Sequence, residues 1–223
     1  MDVMVIGASG GSGRAVVEEL LGRGHRVTAL ARRATTALPA RAGLRSVDGD
    51  ATDPAVVAPL LPGHQAVVVT LGISEPAWRV RLRGAVGTAD DVRSRGTAVL
   101  VDAARRAGVR RVVVQTSFGV GPTRHLLPLG ARVVFALLLE PQMADTERQE
   151  AVVRGSGLDW TLVQPVYLAD DEAVASGRTT PPPATSTDGA VRAMRVGRRS
   201  VARVHADLLE GGGQVHETVT VSG

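Results

Sequence analysis

Seven residues near the start of the chain, Gly7-Ala8-Ser9-Gly10-Gly11-Ser12-Gly13, carry its strongest chemical signal. They follow the apolar run Val3–Ile6. They precede a segment, Arg14–Arg23, with helical spacing: Val16, Val17, Leu20 and Leu21 are apolar, and Glu18, Glu19 and Arg23 are polar. A chain that leaves a strand and enters a helix this quickly needs backbone freedom. Gly7 permits the sharp exit, Gly10 or Gly11 lets a ligand approach the main chain, and Gly13 lets the helix lie tightly on the sheet. The first N–H groups of a helix have no intrahelical acceptors, and the helix dipole adds positive potential there. The turn therefore suits two linked phosphates, with Ser9 and Ser12 as extra hydroxyl donors. A glycine cluster alone would equally serve an ordinary surface turn; its place between strand and helix favours the phosphate reading. A nucleoside-triphosphate loop fits poorly, because the chain contains no Lys to reach the outer phosphates.

The next informative residues end a second strand, Arg26–Leu30. Chains that bind NAD usually place a carboxylate there for the ribose diol, whereas this chain has Ala31-Arg32-Arg33. A guanidinium pairs with a 2′-phosphate through two parallel hydrogen bonds and stacks on adenine, so Arg32 predicts NADP(H) as cofactor. Two solvated loop arginines are the alternative. After a third strand, Leu44–Val47, Asp50 either accepts from the adenine amino group or opens the turn into the next helix.

The elements that must position these residues alternate along the chain. Asp53-Pro54 predicts a capped helix to about Leu61, closed by Pro62-Gly63. Ala66–Thr70 predicts a fourth strand, apolar at almost every position as a buried parallel strand requires. Glu75–Ala89, with arginines at 79, 81 and 83, is expected to be loop. Asp91–Ala107 is expected to be a helix stopped by Gly108, and Arg111–Gln115 a fifth strand. A loop over 117–128, a short helix over 131–139 and a helix over 144–154 follow. Asp159–Val163 predicts a sixth strand. The Thr-, Ser- and Pro-rich stretch 175–189 is expected to form neither helix nor central strand. Val201–Leu209 predicts a last helix and Val215–Val221 a last strand. Together these predict an α/β fold: a doubly wound, mostly parallel Rossmann-type sheet with helices on both faces. The expected organisation is one domain over 1–223, with residues 165–200 contributing a small substrate-side region.

Composition narrows the function. The 223 residues are 44% hydrophobic, 2% aromatic and free of cysteine, with 26 basic against 22 acidic residues. So few aromatics leave little for base stacking, and a net charge of +4 is mild, which argues against a nucleic-acid partner. Absent cysteine removes thiol chemistry and Cys-bound metals, and the five histidines have no metal-ligand spacing. No apolar run reaches the ~20 residues of a membrane span. The expectation is a cytoplasmic protein with no membrane partner, taking a small-molecule substrate as a monomer or weak homodimer.

Several segments carry a resemblance to a known family. VMVIGASGGSGRAVVEELLGRGHRVTALAR (3–32), Gly49-Asp50, RRVVVQTS (110–117), SGLDWTLVQP (156–165) and VGRRSVARVHADLLE (196–210) resemble the atypical short-chain dehydrogenases/reductases. Within these, the match is to the NAD(P)H-binding, NmrA-like group that includes flavin reductase/biliverdin reductase B. The resemblance spans nearly the whole chain, with Gln164 where Arg is common and Ser200 where Asp is usual. It implies that residues 7–13 hold a pyrophosphate and Arg32 a 2′-phosphate, that Leu71 and Gly72 line the cofactor, and that Thr116 and Ser117 stand beside the nicotinamide. The Tyr-x-x-x-Lys pair of conventional members is missing, and Thr146 stands where related chains often have Lys.

Two residues remain for the chemical step. Ser117 follows the fifth strand, and Tyr167, the only tyrosine, follows the sixth. Either side chain can hydrogen-bond a polar acceptor; the plainer readings are a loop cap for Ser117 and a packing residue for Tyr167. The function expected is an NADP(H)-dependent oxidoreductase passing a hydride to a flavin-like, quinone-like or other conjugated acceptor. The alternative is a non-catalytic NADP(H)-binding redox sensor of the NmrA-like type.

Overall fold

Strict alternation in the first strand divides the interior into two layers. In the computed structural model, which describes residues 1–72, 89–127, 140–170 and 182–223, β1 (Asp2–Ile6) sends Val3 and Val5 to one face and Met4 and Ile6 to the other. All four are fully buried. β1 pairs in parallel with β2 (Arg26–Ala31) on one side and β4 (Ala66–Val69) on the other. The eight-stranded sheet has the order β3-β2-β1-β4-β5-β6-β10-β8, with β3 at Leu44–Asp48, β5 at Arg111–Gln115, β6 at Asp159–Pro165, β10 at Glu217–Ser222 and β8 at Ala184–Ser186. Every pair is parallel except β10 with β8, which closes the edge antiparallel.

Helices cover both faces, as crossovers between parallel strands require. On one face, α1 (Gly11–Gly22) packs beside a helix at Arg198–Glu210, labelled α6 below. On the other, α4 (Val92–Ala107) packs against α5 (Glu140–Arg154). The short helices α2 (Ala34–Ala37) and α3 (Pro54–Val57) lie between α1 and α4 in sequence. The fold is thus the doubly wound, mostly parallel Rossmann type.

Element boundaries differ from the sequence reading for identifiable reasons. Asp53 does cap α3, accepting from the Ala55 N–H at 2.8 Å, but the helix tightens to a 3-10 turn at Ala58–Leu60. Pro59 lacks the N–H that would continue the α-helical ladder. The last strand begins at Glu217 rather than Val215, because Gln214 and His216 adopt positive φ (58° and 62°) and extend the turn. α1 starts at Gly11, so Gly11, Ser12 and Gly13 form its first turn. β7 (Tyr167–Ala169) and β9 (Arg195–Gly197) pair in parallel as a separate two-stranded ribbon. β8 lies at the sheet edge, so 182–189, the described part of the stretch 175–189, holds no central strand, as expected; 175–181 lie outside the described residues. Of the loop expected over 75–89, residues 75–88 lie outside the described residues, as does the short helix expected over 131–139. Among the described residues no helix is long and apolar enough to cross a membrane.

Candidate functional site

The strand order reverses between β1 and β4, and a cleft of about 570 Å³ opens there beyond the carboxyl ends of the strands. Gly7 begins it. Its φ of +87° suits glycine, its N–H donates to the Leu30 carbonyl, and a Cβ would stand 2.7 Å from the Thr70 carbonyl oxygen. Gly13 is equally constrained: a Cβ there would overlap the Gly7 carbonyl oxygen, so the missing side chain is what seats α1 against the turn. Gly10 caps α1 with no side-chain hydrogen bond, which leaves the helix's first amides for a ligand.

The cleft brings together most of the residues singled out from the sequence. Gly7, Ser9, Gly10, Gly11, Ser12, Arg32, Asp50, Leu71, Gly72, Thr116 and Ser117 all line it. Gly13 does not; it supports the turn from below. Tyr167 does not either, and this corrects its placement beside the reacting centre. Alternation along β7 turns Leu168 toward the cleft and Tyr167 away from it, leaving Tyr167 72% exposed.

The loop carrying Arg32 is fixed from the next strand. The Thr35 hydroxyl and N–H donate to Asp48 at 2.5 and 2.8 Å, and they hold its carboxyl below the ordinary range. Asp50 performs the turn-opening role: the N–H and hydroxyl of Thr52 both donate to its Oδ1 at 2.8 Å. Those bonds lower its pKa, with Arg32 and Arg95 adding a smaller electrostatic contribution, so Asp50 is an ionised acceptor at neutral pH.

At the other end of the cleft, Thr116 is committed to a buried network. Its hydroxyl donates to Glu150 Oε1 at 2.8 Å. Gln164 Nε2 donates to the same oxygen at 2.8 Å, and Arg154 reaches Oε2 at 2.9 Å. Thr123 donates to Gln164 Oε1 and accepts from the Gly119 N–H. The network pins the loop after β5, so Ser117 is presented on a rigid support. No described group hydrogen-bonds the Ser117 hydroxyl. Thr146 is buried and donates to the Gln142 carbonyl within α5 rather than reaching the cleft.

Two cationic cleft residues escape the sequence reading. Arg198, at the start of α6, lies across the glycine turn: its Nε is 2.8 Å from where a Gly11 Cβ would be, and its Nη1 pairs with the exposed Asp170 at 2.5 Å. Arg93, at the start of α4, lines the cleft beside Gly72. Nothing in the local sequence marks either for this place; only the folded chain brings them to the glycines.

Comparison with known proteins follows this geometry. A family model described as NAD(P)H-binding matches residues 7–211. The chain belongs to that NAD(P)H-binding family. Its relatives include an uncharacterised chloroplastic protein of Arabidopsis thaliana, 30% identical over 174 residues, covering 76% of this chain and 60% of that protein. The 3-diazoavenalumate denitrifying reductase of a Streptomyces species is 39% identical over 124 residues, covering 55% of this chain and 40% of the reductase. The chain therefore spans less than two thirds of the length of these curated relatives. A short-chain dehydrogenase/reductase of Veillonella parvula in complex with NADP superimposes with a TM-score of 0.80 at 17% identity, over 100% of this chain and 94% of that one. An anaerobillin reductase of Escherichia coli O157:H7 does so at 0.73 and 22% identity, over 100% and 97%. These structural likenesses establish the Rossmann fold that the NAD(P)H-binding family shares with short-chain dehydrogenases/reductases.

The cleft fits the cofactor that the family name implies. A side chain at Gly7 or Gly13 would collide with backbone, the amides of α1 open into the cleft, and two arginines flank them. That donor set suits a dianionic pyrophosphate.

Proposed function

We propose that this protein is an NADP(H)-dependent oxidoreductase of the atypical, NmrA-like kind. The observation that carries the reading is Arg32 at the end of β2, lining the same cleft as the glycine turn. When bound, the cofactor supplies a hydride from nicotinamide C4 to a flavin-like, quinone-like or other conjugated acceptor, which takes its balancing proton from solvent. The α1 amides, Ser9 and Ser12 hold the two linked phosphates. Arg32 meets the 2′-phosphate, and Asp50, which takes both Thr52 bonds on Oδ1, also accepts from the adenine amino group through Oδ2. Leu71 and Gly72 form the wall at the end of β4. Ser117, held rigid by the network behind Thr116, orients the acceptor. Positioning and exclusion of water, rather than a strong acid or base, supply the catalysis.

Absorbance at 340 nm reports the reaction directly. NADPH mixed with the protein and a panel of flavins, quinones and dichlorophenolindophenol is expected to be oxidised. Ser117→Ala is expected to lower kcat about tenfold, while Tyr167→Phe leaves it unchanged. Wild-type turnover that survives Ser117→Ala intact would remove Ser117 from the reaction.

The sensor reading is favoured by one feature: among the described residues the cleft is lined by no Tyr, His or Lys. Tight NADPH binding with no oxidation of it by any acceptor would establish that reading instead.

Arg198 offers a test of the pyrophosphate site. Its pairing with Asp170 is exposed and therefore weak, so a phosphate can displace Asp170 at little cost. Arg198→Met is expected to weaken NADPH and NADH equally, about fivefold each, by isothermal titration. A loss confined to NADPH would move Arg198 to the 2′-phosphate.

A further inference from the structure

Arg93 presents an incompletely hydrogen-bonded guanidinium at the cleft wall. It is the second residue of α4, its Nη2 lies 3.3 Å from where a Gly72 Cβ would be, and its side chain faces the cleft that holds the glycine turn. Its guanidinium is largely withdrawn from water, and Nη1 is buried with no hydrogen-bond partner. The nearest carboxylate does not pair with the fork. Asp145, wholly buried on α5, accepts from the Arg93 backbone N–H at 3.0 Å, and from the N–H and hydroxyl of Ser94 at 3.3 and 2.5 Å. Asp145 thus caps the start of α4. Burial holds the Arg93 pKa below the ordinary arginine value even though Asp145 opposes the shift.

A guanidinium nitrogen buried without a hydrogen-bond partner is costly to a fold, and such features persist where a ligand completes them. The position selects the ligand. In sheet order, β4 stands between β1, which bears the glycine turn, and β5, which leads to Thr116 and Ser117. The phosphate-binding features named above, the α1 amides, Arg198 and Arg32, lie on the β1–β2 side or on the glycine turn itself. Arg93 stands apart from them, beside Gly72.

We propose that Arg93 anchors a carboxylate of the substrate, so that the acceptor is a conjugated organic acid rather than a neutral quinone. This rests on reading the cleft as an NADP(H) site. A carboxylate entering beside Gly72 meets the guanidinium at the cleft wall, and its charge compensates the whole delocalised cation, Nη1 included.

The test uses NADPH-loaded protein and two pairs of probes, benzoate with benzamide and cinnamate with cinnamamide, followed by NADPH fluorescence. The carboxylates are expected to bind at least about tenfold more tightly than their uncharged amides. Arg93→Met is expected to erase that difference, to leave NADPH affinity within about twofold, and to raise the melting temperature of the free protein by about 2–4 °C. Arg93→Lys, which keeps the charge but loses the fork, is expected to retain part of the preference. Equal binding of acids and amides by the wild type overturns the proposal. So does a loss of NADPH affinity in Arg93→Met, which would assign Arg93 to a cofactor phosphate. A lower melting temperature in that variant overturns it too, by making Arg93 a support of the fold. Failure of the wild type to bind NADPH at all would instead sink the cofactor reading beneath it.

Discussion

Replacing Arg32 with Ala is expected to weaken NADPH binding about a hundredfold while changing NADH binding by less than about threefold. The asymmetry follows from chemistry. NADPH differs from NADH only by the 2′-phosphate, and a guanidinium that grips this group contributes about 2.7 kcal/mol to one ligand and little to the other. Arg32 is held for the task. It follows Ala31, the last residue of β2, and precedes a turn tied down by the bonds from Thr35 to Asp48. Asp50, held ionised by Thr52, lines the same wall. With Arg32 gone, its carboxylate meets an incoming phosphate unscreened, so the loss on removing Arg32 exceeds that of a hydrogen bond alone. Titration of both nucleotides against both proteins measures the ratio. Equal weakening of NADPH and NADH would show that Arg32 serves the common part of the cofactor.

How far the site could be read from the chain depends on how local each part of it is. Residues 7–13 declare themselves, because strand, turn and helix must be joined within a few positions and glycine is the only residue that allows it. Arg32 follows from its place at the end of the second strand, and Leu71-Gly72 and Thr116-Ser117 from the family resemblance; all of them accord with the rule that ligands gather beyond the carboxyl ends of parallel strands. That rule needs only the strand boundaries, and apolar runs such as 66–69 and 111–115 give these well. Arg93 and Arg198 escaped because their role depends on which helix start faces which turn. Arg198 is far from Gly11 in sequence, and the three-residue strands β7 and β9 ahead of it are too short to show a period. Tyr167 was misjudged for the same reason. A shift of one residue in an extended strand reverses inside and outside, so Leu168 took the inward position. The buried network of Glu150, Gln164 and Thr123 was equally hidden, since a polar residue on a helix reads as solvent-facing until its partners are known.

Acid is expected to destabilise the protein through one histidine well before its carboxylates protonate. His205 on α6 is fully buried, and burial lowers its pKa from the ordinary 6.5 to about 3. The folded protein therefore holds the imidazole neutral, whereas the unfolded chain takes up a proton near pH 6.5. Above that pH both states are neutral and the stabilising contribution is complete. As pH falls from 6.5 toward 3 only the unfolded state gains the proton, so stability drops by about 1.4 kcal/mol per pH unit, or about 2 kcal/mol by pH 5. The neutral ring also bears on the cleft through Gln115, which lines it. Its Nε2 lies 3.3 Å from Gln115 Oε1, and Gln115 Nε2 donates to Ser12 Oγ at 3.0 Å. Its Nδ1 is buried without a partner, so the proton belongs on Nε2, where an acceptor waits; a bare ring nitrogen is easier to leave unpaired than a buried N–H. With Gln115 oriented in this way, one lone pair of Ser12 is occupied and its hydroxyl hydrogen is free to point at a phosphate. Urea unfolding of the wild type and His205→Gln between pH 7 and pH 5 measures the linkage. The wild type is expected to lose about 2 kcal/mol more than the variant over that interval, whatever the variant's stability at pH 7. Parallel loss in the two proteins would mean that His205 titrates normally and that the fold does not depend on its remaining neutral.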